Sequence, residues 1–177
     1  MADEKWKHID SEILFNGKFK NVRLDTFKLP DNSICKFEIV ESSIVVSCLA
    51  LTEDNKVIVL KNFRPGPQMI VYEPPGGALD EGETIEQAIG RELLEETGYT
   101  GELEYVGRYP SNAYDNEIRY CFVARNCKKV GDQKLDVEEK FIELQLITLN
   151  NLKYIISNGL TTEVGTFYMC LNHIGAL

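Results

Sequence analysis

From the N-terminus to about residue 63 the chain is a series of short apolar-rich runs broken by turn signals, the pattern of strands rather than helices. Ile13–Phe15, Phe19–Lys28, Ile34–Val40, Ile44–Leu51 and Val57–Phe63 read as strands. Asn16-Gly17 marks a hairpin, and Pro30-Asp31-Asn32 and Glu53-Asp54-Asn55 mark turns. The period then changes. Ile85, Ala88, Ile89 and Leu93 recur at helical spacing and predict one buried stripe. Thr84 followed by Gln87 supplies a capping box at the start of this helix, and Gly98 a left-handed cap at its end. Beyond it, Leu103–Tyr109, Ile118–Ala124 and Phe141–Ile147 read as strands. Asn150–Ser157, closed by Asn158-Gly159, and Thr162–Ile174 read as helices. Strands and helices do not alternate regularly, so an α/β fold with a mixed sheet flanked by helices is expected, not a doubly wound parallel one.

The polar side of the central helix carries the candidate chemistry. Glu92, Glu95 and Glu96 are three and four residues apart, so their carboxylates project from neighbouring turns. Like charges at this spacing weaken a helix unless something cationic sits among them. Hard divalent cations take oxygen ligands, and Mg²⁺ uses a few carboxylates together with waters and substrate phosphates. An acidic helical face on its own is usually just solvated. Here it comes with Gly76-Gly77, Glu83, Arg91 and Gly98 at set offsets, which points to a metal platform for a phosphorylated substrate. The carboxylates are expected to fall away from the buried stripe. Arg91 could pair with Glu83 or orient a metal-binding carboxylate. Gly90, inside the helix, suggests close packing against the preceding loop. Glu73-Pro74-Pro75-Gly76-Gly77 has the residues of a stiff turn.

Composition narrows the alternatives. The 177 residues suit one domain with a proper core, and 44% hydrophobic with 27% charged residues is ordinary for a soluble protein. A net charge of −9 argues against nucleic acid as partner, but not against a small anion held through a divalent metal. Met1–Asp10 is polar and mixed in charge, unlike a secretory signal. The longest apolar run, Ile44–Leu51, is too short to cross a membrane, so a cytoplasmic protein is expected. Five cysteines without a Cys-x-x-Cys pair read as buried thiols, and two histidines near opposite ends leave little for imidazole chemistry. Carboxylate–metal chemistry remains.

The run Gly77, five residues, Glu83, seven residues, then Arg91-Glu92-Leu93-Leu94-Glu95-Glu96-Thr97-Gly98-Tyr99 resembles the Nudix box. Every fixed position is matched, and Tyr99 stands where a bulky aliphatic residue is usual. The resemblance implies a Nudix-type α/β/α sandwich with an N-terminal strand-rich extension: residues 1–40 as extension, 41–177 as hydrolase domain. It implies that Mg²⁺, with Mn²⁺ as substitute, is held by Glu92, Glu95, Glu96 and the carbonyl of Gly76, the residue before the first box glycine. Lys61-Asn62-Phe63-Arg64-Pro65, leading to Glu73-Pro74-Pro75-Gly76-Gly77, is similar to the ADP-ribose pyrophosphatase branch. In that branch the arginine matching Arg64 contacts the substrate's phosphates, and Glu73 is assigned to substrate with it. The branch also exchanges its N-terminal strands within a homodimer and takes base-pocket aromatics from them; Trp6, the only tryptophan, and the nearby Phe15, Phe19 and Phe27 are the candidates here.

Two stretches depart from the branch. Ser111–Glu117 lacks a proline often found there, Pro110 coming earlier. In the late acidic loop Lys140 precedes Phe141, leaving Glu139, then Glu138, as candidates for the general base. The expected activity is hydrolysis of ADP-ribose or a related nucleoside diphosphate sugar to a nucleoside monophosphate and a sugar phosphate. A GDP-sugar hydrolase is the alternative enzyme, and a nucleotide-sensing Nudix module the alternative of another class.

Overall fold

The computed structural model describes residues 5–18, 20–135, 137 and 139–177. Two compact units are present, one formed by residues 1–43 and 110–118 and the other by 44–109 and 119–177.

The first unit is a three-stranded antiparallel sheet of β1 (Lys7–Asn16), β2 (Asn21–Lys28) and β3 (Ile34–Glu41), in that spatial order. Gly17 N–H donates to the Lys20 carbonyl (3.1 Å) in the first connection. Asn32, with φ of 71°, turns the second beside Asp31, whose carboxylate accepts from Ser33. Residues 110–118 join this sheet through Val40 N–H, which donates to the Tyr114 carbonyl (2.9 Å).

The second unit is built on a seven-stranded mixed sheet. Its strands are β4 (Val45–Thr52), β5 (Val57–Arg64), β6 (Met69–Glu73), β7 (Gly76–Ala78), β8 (Tyr99–Pro110), β9 (Ile118–Lys129) and β10 (Glu143–Ile147). The main path runs β10-β5-β4-β9-β8, with β6 on β5 and β7 on β4. The β4–β9 pair is parallel, whereas β10–β5, β4–β5, β4–β7 and β5–β6 are antiparallel. The helices are α1 (Ile85–Thr97), α2 (Leu149–Ser157) and α3 (Val164–His173).

Alternation along the central strands explains the layering, because successive side chains leave a strand on opposite faces. Val46, Cys48 and Ala50 of β4 join Phe122 of β9 and the α1 stripe Ala88, Ile89 and Leu93 in one core. Leu49 and Leu51 join Val123 with Leu152 of α2 and Phe167 of α3 in a second. The sheet is thus sandwiched between helices, as an α/β/α fold requires. Two elements escape the sequence pattern. Strand β6 occupies a stretch with no strand assigned, and the loop expected as a stiff turn continues into β7, paired with Val45–Ser47.

Candidate active site

Helix α1 starts and stops as its sequence directs. Thr84 N–H donates to Gln87 Oε1 (2.9 Å) while Thr84 Oγ1 accepts from Gln87 N–H (3.3 Å), a complete capping box. Gly98, at φ 74°, closes the other end with its N–H on the Leu94 carbonyl (2.8 Å). Gly90 does not fulfil its expected role: a Cβ there would meet only Leu103 Cδ1 at 3.7 Å, an ordinary contact.

The carboxylates do not simply fall away from the buried stripe. Glu96 is itself buried, at 7% exposure, and Gly76 N–H donates to its Oε2 (2.8 Å). The box loop lies tight against β4 and α1. Pro75 O accepts from Cys48 N–H (2.9 Å), and a Cβ on Gly77 would collide with the Glu92 carboxylate. Glycine at that position leaves room for the carboxylate.

Arg91 pairs with Glu83, as its sequence position suggested, and also reaches two further acids of the box. Its Nε and Nη2 donate to Glu83 (2.9 and 3.0 Å), and its Nη1 donates to Glu92 (2.8 Å) and more loosely to Glu95 (3.3 Å). These contacts, those to Glu83 first, hold the guanidinium firmly protonated, and the same hydrogen bonds lower Glu83.

Burial works the other way on the next two acids. It raises Glu92 despite Arg91, with the charges of Glu95 and Glu139 adding to the rise. It pushes Glu96 up to about 8 against the Gly76 hydrogen bond, again with help from Glu92 and Glu139. Glu139 is therefore close enough to be felt by both box carboxylates. Its loop is strapped to α1, Lys134 N–H donating to Glu95 O (2.7 Å) and Gln133 Nε2 to Glu96 O (2.7 Å). Glu138 lies outside the described residues.

Arg64 and Glu73 form the next pair. The Arg64 Nε–H reaches both Glu73 oxygens (3.0 and 2.8 Å), and Thr162 Oγ1 donates to Glu73 Oε1 (2.6 Å). Glu73 is buried while Arg64 remains half exposed. A cavity of about 160 Å³ opens beside them, bounded also by Ser47, Gly76 and a second ion pair, Arg119–Glu163. Thr162, Arg119 and Glu163 were not singled out from sequence. The available signal was a lone charge, Arg119, inside the apolar run Ile118–Ala124.

A model of the NUDIX domain matches residues 42–162, well over half of the chain. This chain belongs to the Nudix hydrolase family. It is 30% identical over 164 residues to the ADP-ribose pyrophosphatase of Bacillus subtilis (strain 168), covering 92% of this chain and 89% of that protein. It is 33% identical over 153 residues to the methanol dehydrogenase activator of Bacillus methanolicus, covering 84% and 82%. A crystal structure of an ADP compounds hydrolase superposes with a TM-score of 0.76 at 15% identity, over 98% of this chain and 97% of that one, which supports the fold.

The Nudix box of this chain suits a hard divalent cation. Among the described residues, no three His, Cys, Asp or Glu side chains already form a metal cage. Mg²⁺ does not need one, since waters and substrate phosphates complete its shell. The all-oxygen donor set, with two carboxylates whose ionisation burial and mutual repulsion oppose, is what a cation would relieve. Trp6 belongs to the three-stranded unit. There it packs with Phe27 (6.3 Å) and Phe37 (6.2 Å) beside a cavity of about 260 Å³ that Tyr114 also lines. Four of the five thiols are buried, and no helix among the described residues is long and apolar enough to cross a membrane.

Proposed function

We propose that this Nudix hydrolase cleaves the diphosphate bond of ADP-ribose, or of a similar nucleoside diphosphate sugar, in the presence of Mg²⁺ or Mn²⁺, giving AMP and ribose 5-phosphate. The observation that carries the reading is the crowding of Glu92 and Glu96 beside a cleft furnished with arginine. Similarity to the Bacillus subtilis ADP-ribose pyrophosphatase supports the choice of substrate.

Glu92, Glu95 and Glu96 with the Gly76 carbonyl would hold the cation, and Arg91 braces the first two acids from the side. A divalent cation held there would supply charge neutralisation at the diphosphate and a more acidic water. Arg64, braced by Glu73, donates to the diphosphate, for which a planar guanidinium is well shaped. Glu139 takes the proton of the attacking water, its loop held near the box by Gln133 and Lys134. Glu138 is the second candidate for that role. Trp6 offers an aromatic face to the base.

The protein works as a cytoplasmic homodimer in this reading, for which free thiols suit a reducing compartment. All ten residues of β1 are exposed, Ile9, Ile13 and Phe15 more than half, and a second copy would cover them.

The test is a panel of nucleoside diphosphate derivatives assayed with Mg²⁺, phosphate release being followed after phosphatase coupling. ADP-ribose is expected to turn over fastest, with no turnover in EDTA. Preference for a GDP-sugar would overturn the substrate and keep the mechanism. Binding without cleavage across the panel would make the protein a sensor.

A further inference from the structure

The cleft beside the box loop holds two guanidinium–carboxylate pairs, and consecutive residues tie them together. Thr162 Oγ1 donates to Glu73 of the first pair, and the next residue, Glu163, is the acid of the second. Glu163 is itself fixed from several directions. Its N–H donates to Thr161 Oγ1 (3.0 Å), and Thr166 Oγ1 donates to its Oε2 (3.0 Å). The Tyr109 hydroxyl contacts Thr166 in turn (3.1 Å). Arg119, near the start of β9, is opposite Val45 of β4, which on its other side faces Ala78 of β7. The guanidinium is thus set in the same cross-strand row as the strand that continues the box loop.

Three properties of the pair point toward a ligand. An ion pair this far withdrawn from water is a poor source of stability, because desolvation consumes most of the Coulomb gain. Here the Arg119 side chain is 17% exposed and that of Glu163 11%, at the wall of a cavity. A guanidinium held by a fixed carboxylate also loses little freedom when it meets a phosphate, so part of the binding cost is already met by the fold. Finally, the cavity of about 160 Å³ is smaller than the roughly 300–1,000 Å³ of pockets that take a whole ligand. It receives one portion of a substrate, and two arginines select for an oxyanion.

We propose that Arg119, positioned by Glu163, is a second substrate-binding arginine that donates to a diphosphate oxygen in the cleft it shares with Arg64. The inference rests on the proposed diphosphate chemistry but not on the identity of the base or sugar. Arg119 touches substrate, and Glu163 and Thr166 act through it.

The experiment combines calorimetric binding of inorganic pyrophosphate in Mg²⁺ with steady-state kinetics on whichever panel compound is turned over. Arg119→Ala is expected to weaken pyrophosphate binding and raise KM about tenfold or more, with kcat held within about threefold. Arg119→Lys keeps the charge without the fork and recovers part of both losses. Glu163→Gln gives a smaller rise in KM. A purely structural pair would lower the unfolding temperature in these variants and leave KM and pyrophosphate affinity unchanged, which overturns the inference. So does a wild-type protein that binds no pyrophosphate. If Arg119→Ala does not fold, the Lys and Gln variants decide by the same readouts. Wild-type failure on ADP-ribose, with pyrophosphate binding that depends on Arg119, would sink the proposed substrate and leave this inference standing.

Discussion

Glu96 is a buried carboxylate that accepts one backbone N–H and faces further negative charge. Replacing it by Gln keeps an acceptor for Gly76 N–H and removes the charge. Turnover is expected to fall at least about 100-fold, since even residues that only support a metal ligand are worth 10–100-fold. Stability should move the other way. In the metal-free protein Glu96 titrates near 8 against an ordinary 4.5, so it favours the fold below about pH 4.5 and that contribution fades as pH rises through 8. With chelator present, wild-type thermal stability should therefore drop between pH 5 and 8 more than that of Glu96→Gln. Parallel curves would show that the burial does not matter. Glu139→Gln tests the proposed base: kcat should fall far more than KM changes, and an unchanged kcat would move the role elsewhere.

Helix α1 carries most of the candidate site, and its ends are well made. Its interior contains one unexplained weakness, Gly90, where the surrounding structure leaves ordinary room for a methyl group. Gly90→Ala is expected to raise stability by about 0.5–1 kcal/mol in chemical denaturation, from helix propensity and reduced unfolded-state freedom. A loss would mean that the backbone there needs glycine for a reason other than space. Gly77→Ala is the contrasting substitution. The added methyl would meet the Glu92 carboxylate, and displacing that acid should lower activity even where the fold survives. The same helix shows how far periodicity reaches. Ala88, Ile89 and Leu93 are buried as their spacing predicted, and both caps formed where Thr84 and Gly98 stood. These features depend on neighbours within one or two turns, which the chain order itself supplies.

At the scale of the whole molecule, the sheet and the cysteines make independent statements. Burial raises the thiols of Cys48, Cys121, Cys127 and Cys170, Cys127 to about 11 and Cys170 to about 12. Cys35 is the only one not buried. A thiol reagent should therefore modify one cysteine rapidly in the native protein and all five after denaturation. Several fast thiols would contradict the packing of the two cores. The exposed apolar side chains of β1 lead to a second expectation, a solution mass near twice the 20.1 kDa of one chain. Light scattering at the mass of a single chain would remove the dimer.

What the sequence determined by itself was local: the box spacing, the capped helix and the candidate ligands of a hard cation. It also placed the succession of strands and turns, because those signals lie within a few residues of one another. Tertiary structure decided the rest. Glu96 is buried because the box loop pairs with β4 and brings Gly76 to it, a contact spanning 20 positions. β6, where no strand was assigned, is fixed by Met69–Glu73 pairing with residues 60–64 of β5. Arg119 and Glu163 meet across 44 positions, and only the packing of α3 against the sheet makes them partners. Helical spacing is written in adjacent residues, whereas burial and long-range pairing depend on which surfaces the folded chain brings together.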